Sequence, residues 1–284
     1  MKLPNLGSLW MLIAALGFAI MGALVKVGAQ KFSSVELVFY RSLFGLVTIY
    51  IITLLNGYSL KTPVIRKQMS RAIVGFLSLV CFFIAIAHLP LATAVTLNYT
   101  SPLFVALLLP FTLQEKSAKL LYLAVLLGFI GVVLLLRPTL DSSDTWYGIL
   151  GLLSGFGAAW AYIYVKQLAN IGEPDWRTVF YFTLVSTLGA TIWILPYQFT
   201  DMEWKDLPVI VGLGVSATLA QLAMTRAYRT GNTLTVASLA YSTVIFASLF
   251  GAWFWQESLS MPEYFAIGII ILGGLLSLHT SRRI

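Results

Sequence analysis

Apolar residues follow one another in long runs, separated by short segments that carry charged residues, proline, asparagine or glycine. A run of about 20 residues is what an α-helix needs to cross the hydrocarbon core of a bilayer. The strict alternation of apolar and polar positions that is typical of transmembrane β-barrel strands does not occur. We therefore predict an all-α integral membrane protein with ten transmembrane helices, near residues 7–27, 34–55, 69–88, 91–113, 118–136, 147–167, 177–197, 207–229, 233–256 and 261–280.

The composition favours the same class. The chain of 284 residues is 59% hydrophobic and 10% charged, whereas soluble domains carry about 25% charged residues. Ten spans of about 20 residues leave roughly 84 residues for loops and tails, too few for a separate domain outside the membrane. Cys81 is the single cysteine, which excludes a disulfide framework.

Basic residues concentrate in one set of loops. With ten spans both termini lie on one side, and most of the 18 Lys and Arg residues fall on that side. Among them are Arg66, Lys67 and Arg71, which we assign to the basic loop that leads into the third span. The positive-inside rule places this side in the cytoplasm. We expect a multi-pass protein of the bacterial inner membrane with both termini cytoplasmic. Basic loops facing anionic lipid account for the net charge of +7, so no nucleic-acid partner is expected.

The two halves of the chain repeat one another. Residues 94–115 align without gaps on residues 236–257 at an offset of 142. Apolar matches carry little weight, whereas a shared tyrosine followed by a Gln-Glu pair carries more. The matched positions are Tyr99/Tyr241, Gln114-Glu115/Gln256-Glu257, Ala124/Ala266 and Gly131/Gly273 at this offset, Gly17/Gly157 at 140, and Phe39-Tyr40/Phe180-Tyr181 at 141.

This duplication predicts two five-helix repeats, at residues 1–140 and 141–284. Because each repeat contains an odd number of spans, the second must be inserted in the opposite sense to the first. Inverted repeats of this kind build many secondary transporters, whose substrate site lies near the midplane between the halves. The sequence therefore predicts a transporter with a central cavity, but names no substrate.

Each half resembles an EamA domain of the drug/metabolite transporter superfamily. The resemblance rests on Phe39-Tyr40-Arg41, on Pro102 followed by Gln114-Glu115, and on Gly128 and Gly131. It implies a permease for small metabolites, often an exporter of amino acids or amphiphilic compounds, with a cavity between the repeats. One departure is Val244, where the family often has proline, so a bend at Pro102 is expected to have no counterpart in the second half.

Arg41 is the first candidate for substrate binding. It lies roughly 12 Å into its span at about 1.5 Å per residue, where an arginine costs about 2.5–3.5 kcal/mol unless it meets a partner, water or a cavity. It could anchor an anionic group of the substrate, lock helices together as an ion pair, or extend to the lipid headgroups. Glu36 is a poor partner, since it projects from another side of the helix; we expect it to stay hydrated near the interface.

The other candidates are polar or aromatic residues at membrane depth. Asn98 and Tyr99 precede Pro102, which weakens the local helix ladder, and Tyr241 is the equivalent in the second half; distorted helices at this depth are tolerated where they line a cavity. Amide side chains are costly in hydrocarbon, so Asn98 and Gln221 are expected to face inward, with interhelical hydrogen bonding as the alternative for both. Trp160 could form an aromatic wall for an aromatic or cationic substrate, or simply pack.

We thus predict a secondary transporter that exports small metabolites, such as amino acids or amphiphilic compounds, by alternating access around a central cavity, with no enzymatic activity and no cofactor. Glu115 and Glu257 recur after matching spans and suggest a structural role, with proton coupling as the alternative. Two other functions remain open: a lipid scramblase or flippase, and less favourably an integral membrane enzyme, for which we find no catalytic or metal-binding spacing. The partners expected are the substrate and the lipid bilayer; the sequence indicates no oligomeric state.

Overall fold

The computed structural model describes residues 6–89, 91–113, 118–136, 145–197, 199–254 and 260–281. The regular elements of these residues are helical. Short 3₁₀ turns at Leu6–Leu9 and Trp204–Asp206 precede the first and ninth α-helices. The α-helices are α1 (Trp10–Gly28), α2 (Ser34–Leu55), α3 (Ile65–His88), α4 (Leu91–Asn98), α5 (Ser101–Thr112), α6 (Lys119–Leu136), α7 (Thr145–Asn170), α8 (Asp175–Ile194), α9 (Leu207–Thr230), α10 (Thr233–Ala240), α11 (Ser242–Phe254) and α12 (Met261–Ser281).

Most of these helices are suited to a membrane. Nine stretches of the described chain are long and apolar enough to cross a bilayer, and a shorter apolar helix covers Lys119–Leu135. They coincide with the predicted spans, apart from α3, which begins at Ile65 rather than near residue 69. The multi-pass helical class is therefore confirmed, while the count of ten spans stays a prediction. The Gln-Glu pairs 114–115 and 256–257 lie outside the described residues.

The start of α2 is fixed by its own side chains. The Ser33 hydroxyl accepts a hydrogen bond from the Glu36 backbone N–H (3.3 Å), and the Glu36 carboxylate accepts one from the Ser33 N–H (2.7 Å). Glu36 also accepts hydrogen bonds from the backbone and hydroxyl of Thr200. The expectation that Glu36 stays hydrated is wrong: its residue is only 3% exposed, because these donors replace water around the carboxylate.

The fourth and ninth predicted spans are both interrupted, at Tyr99-Thr100 and at Tyr241. In the first half, Pro102 has no N–H, and the Thr100 N–H bonds the carbonyl of Leu97 in the tighter i→i−3 pattern (3.2 Å). In the second half, the Tyr241 N–H bonds the carbonyl of Ser238 in the same pattern (3.4 Å). The expectation that the bend at Pro102 has no counterpart in the second half is therefore wrong, since the tightened turn forms at Tyr241 without a proline.

Helices of the first half pack against helices of the second. The most extensive pairs are α6 with α12, α3 with α7, α1 with α9, and α2 with α8. A Cβ at Gly17 of α1 would lie 2.9 Å from the Cβ of Ala220 on α9, and a Cβ at Gly157 of α7 would lie 2.9 Å from the Cβ of Ser78 on α3. Gly17 matches Gly157, and Ser78 matches Ala220 at the offset of 142, so the two contacts are equivalent.

The α6–α12 pair shows the same reciprocity. A Cβ at Gly131 would lie 3.0 Å from the carbonyl oxygen of Ala266, and a Cβ at Gly273 would lie 2.9 Å from the carbonyl oxygen of Ala124. At the offset of 142, Gly131 corresponds to Gly273 and Ala124 to Ala266, so the two contacts are equivalent. Small residues thus bring the backbones of the two helices into contact, which is how helices associate in lipid.

These contacts predict opposite effects for two Gly→Ala substitutions. Gly131→Ala should lower the thermal stability of the purified protein by about 1–3 kcal/mol, because the new methyl group overpacks the α6–α12 contact. Gly268→Ala on α12 meets nothing within 4 Å and should be neutral or stabilising, since alanine favours helix by about 1 kcal/mol over glycine. Unfolding midpoints in detergent would measure both; equal shifts would contradict the contact.

Candidate functional site

The two helix interruptions meet inside the protein. The rings of Tyr99 and Tyr241 lie 6.3 Å apart between centroids, and Tyr241 is fully buried. Its ring lies against Gly128 of α6, where a side chain would collide with it. The Tyr241 hydroxyl has no hydrogen-bond partner among the described residues. Two of the predicted site residues therefore share one buried aromatic cluster, with Phe129 at 6.5 Å from Tyr241.

Arg41 and Gln221 lie on α2 and α9, on either side of a second contact. A Cβ at Gly45 of α2 would lie 3.1 Å from the Thr218 hydroxyl of α9. Arg41 is one turn before Gly45 and Gln221 one turn after Thr218. Both side chains are buried; Arg41 donates to the thioether of Met21 at 3.4 Å, and the Gln221 side-chain nitrogen has no partner within the described ranges.

Asn98 and Trp160 occupy different surroundings. The Asn98 side chain donates to the Ser154 hydroxyl of α7 at 3.0 Å, which is the interhelical hydrogen bond named as its alternative. Trp160 contacts Phe156 and Tyr164, one turn away on either side along α7, at centroid distances of 6.4 and 6.1 Å. A substrate contact by either residue stays a prediction.

Arg71 was assigned wrongly to a basic loop. The residue lies inside α3, is 2% exposed, and places its guanidinium over the ring of Phe182, 4.1 Å from the centroid. Electrostatic interaction links it to Tyr162 and to Arg41. Tyr162, on the face of α7 opposite Trp160, stacks on Tyr228 at 5.1 Å. A charged residue at a span boundary and a tyrosine in an apolar helix carry no sequence signal that marks either as interior.

Several buried polar atoms of the interior have no hydrogen-bond partner in the part of the chain that the structure describes. Native proteins leave few such atoms, and those that remain commonly point to water or a ligand. They occur on α2, α3, α8, α9, α10 and α12 and at Tyr241 between α10 and α11. Away from the arginines, they include Ser42, Ser186, Thr187, Gln221, Tyr228, Ser238, Tyr241 and Ser277.

Polar contacts join the two halves at one end of the bundle, here called the Lys31 end. Lys31, between α1 and α2, contacts Glu203 at 2.9 Å and Asp206 at 2.6 Å, between α8 and α9. Hydrogen bonds to Asp206 and Glu203 raise the pKa of Lys31, and Lys205 and then Lys31 lower the pKa of Glu203. The pairing of Lys31 with Glu203 is therefore present across neutral pH and is lost only when acid protonates Glu203 or strong base deprotonates Lys31.

A second network joins the halves at the opposite end, the Glu173 end. Glu173, between α7 and α8, is 6% exposed and accepts hydrogen bonds from Thr62 and Gln68 of the first half, each at 2.9 Å. Arg177 forms an ion pair with Glu173 at 3.2 Å and donates to the carbonyl of Ser59 at 2.8 Å. Each end of the bundle thus carries its own polar contacts between the halves.

A cavity of about 160 Å³ lies beside α2, α3 and α8. Its lining is mostly apolar and contains none of the six predicted site residues. The residues that line it are Ser34, Val35, Val38, Phe76, Val80, Phe83, Ile84, His88 and Trp193.

Comparison with known proteins places the chain among transporters. The model of the EamA-like transporter family matches residues 5–137 and again 145–278. The chain is 32% identical to the pseudopaline exporter CntI of Pseudomonas aeruginosa over 98% of this chain and 97% of that protein. It is 30% identical to an uncharacterized transporter of Helicobacter pylori over 93% and 92%, and 29% identical to a riboflavin transporter of Vibrio cholerae over 79% and 76%.

The fold also matches a solved structure. A protein known by crystal structure superposes with a TM-score of 0.84 over 98% of both chains, at 16% sequence identity. The likeness at this identity is one of fold alone, and extends over both halves of the chain.

The Glu173 network predicts a large stability difference between two carboxylates. Glu173→Ala leaves Arg177 and Gln68 without their buried acceptor and should cost about 3 kcal/mol. Glu203→Ala removes a carboxylate whose side chain is 56% exposed, and should cost less than about 1 kcal/mol. Thermal unfolding of the two variants side by side would show whether the buried network carries this stability; similar losses would contradict it.

Proposed function

Since the chain belongs to the EamA-like transporter family, we propose that it is a secondary transporter that exports a small metabolite by alternating access. The family and the named relatives show a multi-pass membrane transporter of small molecules. Export is the proposed direction because the relative that matches along 98% of the chain is named an exporter. The observation that carries the mechanism is the pair of polar networks at opposite ends of the bundle.

The repeat architecture supports this mechanism. The Gly17–Ala220 and Gly157–Ser78 contacts, and the two contacts between α6 and α12, exchange under the internal duplication. Such reciprocity is what a two-fold relation between the halves produces. With five spans in each half, the two repeats are inserted in opposite senses, and the halves can rock against one another around a site between them.

The two end networks are the proposed gates. At the Lys31 end, the α1–α2 loop contacts the α8–α9 loop; at the Glu173 end, the α7–α8 loop contacts the α2–α3 loop and α3. These loops correspond to one another in the two repeats, with their roles exchanged. Breaking one network while the other holds would open the interior to one side at a time, and the substrate must bind the two states differently to drive the cycle.

The substrate site is proposed between these gates. It includes the predicted residues Arg41, Gln221, Tyr99 and Tyr241, whose side chains lie in the interior, with Asn98 and Trp160 as further contacts. Polar atoms without partners on α8 and α9, among them Ser186 and Gln221, would face the solute. The proposed substrates are small metabolites such as amino acids and amphiphilic compounds.

The orientation is proposed from the same two ends. The Glu173 end carries the basic residues Lys61, Arg66 and Lys67, so it is assigned to the cytoplasm by the positive-inside rule. Both termini then lie in the cytoplasm, and the membrane is the bacterial inner membrane. The Lys31 gate faces outward in this assignment.

Alternating access predicts that a buried residue can be reached from both sides of the membrane, but not through a locked gate. In a Cys81→Ala background, Tyr99→Cys and Tyr241→Cys should react with an impermeant maleimide applied to either face of membrane vesicles. Bridging Lys31→Cys to Asp206→Cys with a short bifunctional thiol reagent should leave only the cytoplasmic route. Bridging Ser59→Cys to Arg177→Cys should leave only the outer route. Modification would be counted by mass spectrometry.

The control joins two positions of one loop. Bridging Glu203→Cys to Lys205→Cys, whose charged groups lie 2.9 Å apart, ties nothing across the halves and should change neither route. Cysteines that stay inert from both sides, or that keep both routes after both bridges, would overturn the mechanism.

Transport in proteoliposomes separates the proposal from the scramblase alternative. Purified protein should exchange a labelled amino acid, riboflavin or another polar metabolite from a screening panel saturably across the membrane, because a central site binds a limited amount of solute. A fluorescent phospholipid should cross no faster than in protein-free vesicles. Movement of the lipid label without saturable movement of any metabolite would favour the scramblase.

A further inference from the structure

Arg71 is a buried cation whose hydrogen-bonding capacity is largely unused. It is 2% exposed, and its Nε and Nη1 atoms have no hydrogen-bond partner among the described residues. Within the described ranges, no carboxylate comes within 4.0 Å of its guanidinium. A buried charge of this kind is expensive unless it is paired, so its retention calls for a partner.

The contact with Phe182 leaves the donor edge of the guanidinium free. The central carbon of the guanidinium lies over the Phe182 ring, 4.1 Å from the centroid, and Gly75 leaves the room for both, since a Cβ there would lie 3.1 Å from Nη1 and 3.2 Å from the Phe182 ring. Nε and Nη1 of the guanidinium are both without partners among the described residues. The N–H groups of a guanidinium form a planar fork, which binds a carboxylate with two parallel hydrogen bonds.

Arg41 adds a second cation to the same interior. It is 6% exposed, and its hydrogen bond to Met21 uses a thioether, which is a weak acceptor. A Cβ at Gly45, one turn along α2 from Arg41, would lie 3.0 Å from Thr183, the next residue after Phe182, whose ring contacts Arg71. The two arginines therefore lie on helices that pack against the same stretch of α8. The buried carboxylates of the described residues are engaged elsewhere: Glu36 with Ser33 and Thr200, and Glu173 with the network of its own end.

Both arginines break the internal symmetry. At the offset of 141, Arg41 corresponds to Phe182, and at the offset of 142, Arg71 corresponds to Leu213. Phe182 and Leu213 are buried apolar residues in the second half. The repeat therefore packs with apolar side chains at these positions, so the two charges are additions to the scaffold and not a requirement of it.

We propose that Arg71, together with Arg41, binds the transported substrate, and that this substrate is an organic anion carrying carboxylate groups. The inference rests on the proposed transport function and specifies its cargo. The carboxylate occupies the open edge of the Arg71 guanidinium. The aromatic ring of Phe182 against Arg71 suits the carbon skeleton of an organic acid better than an inorganic anion. Two anionic groups would neutralise both arginines.

The test measures binding by full-length protein in lipid nanodiscs. The probes are glutarate and phthalate, their neutral diamides, and inorganic phosphate, and the readout is the midpoint of thermal unfolding. At least one dicarboxylate should raise the midpoint in a saturable way, and its diamide should not. Arg71→Gln should weaken this binding at least tenfold, and Arg71→Lys, which keeps the charge but not the fork, should be intermediate.

Arg66→Gln is the matched control. Arg66 is exposed on the same helix, so this variant removes the same charge away from the interior and should bind as the wild type does. If Arg71→Gln does not fold, the wild-type protein is treated with phenylglyoxal; the bound dicarboxylate should protect Arg71 from modification, as read by peptide mass spectrometry.

Three results would overturn the assignment: no response to either dicarboxylate, equal responses to an acid and its diamide, or unchanged binding by Arg71→Gln. A larger response to phosphate than to both acids would overturn the carboxylate class. These outcomes are separate from the fate of the proposed function, because the gate-bridging experiment needs no substrate. If the protein alternates in that experiment but carries only neutral or cationic solutes, the proposal of an anionic substrate is refuted. The alternating-access mechanism is then retained.

Discussion

Two helices in lipid can touch along their backbones only where neither carries bulk at the contact, and this constraint governs how the two halves are joined. Lipid chains are as apolar as leucine, so burying apolar side chains gives helices little reason to associate. Close approach at Gly17, Gly157, Gly131 and Gly273 supplies the van der Waals contact instead. Because these contacts recur in equivalent pairs, the same few small residues position both halves, and everything else in the interior is arranged around them.

The interior has two kinds of surface as a result. The glycine contacts are close and apolar, whereas α8–α10 contribute hydroxyls and amides such as those of Ser186, Thr187 and Gln221 that find no partner in the described chain. Ser154 shows the ordinary use of such groups, since it bonds Asn98 and its carbonyl accepts from Ser78. Polar groups on α7 are thus used in hydrogen bonds between helices, whereas those named on α8 and α9 have no partner in the described chain.

The helices could be predicted from the sequence because hydropathy and length decide them almost alone. The duplication could also be read, and its matched glycines proved to be contact positions. The predictions that were wrong concerned residues whose surroundings are set by other parts of the fold. Arg71 was placed in a loop because a charge ends an apolar run, and only the position of Phe182 shows that it lies inside. The interruption at Tyr241 was missed because it needs no proline. Glu36 was expected to be hydrated because Thr200, more than 160 residues away, is invisible to local pattern.

The positions of the proposed substrate residues could be predicted only in part for the same reason. Tyr99 and Tyr241 come together because the duplication places equivalent helix interruptions opposite one another. Trp160 and Tyr162 are two residues apart, and the phase of α7 decides which of them stacks on the buried Tyr228. Sequence alone does not fix that phase in a helix that is apolar on most sides.

The asymmetric placement of Arg41 and Arg71 has an energetic consequence for the cell. Two positive charges held within the membrane dielectric sense the transmembrane potential, which is worth about 2.3 kcal/mol per elementary charge for each ~100 mV across the full thickness. A carrier loaded with a doubly negative solute would be electrically silent, whereas the empty carrier would bear the charge. In the proposed mechanism, the membrane potential would then act on the step in which the empty carrier returns.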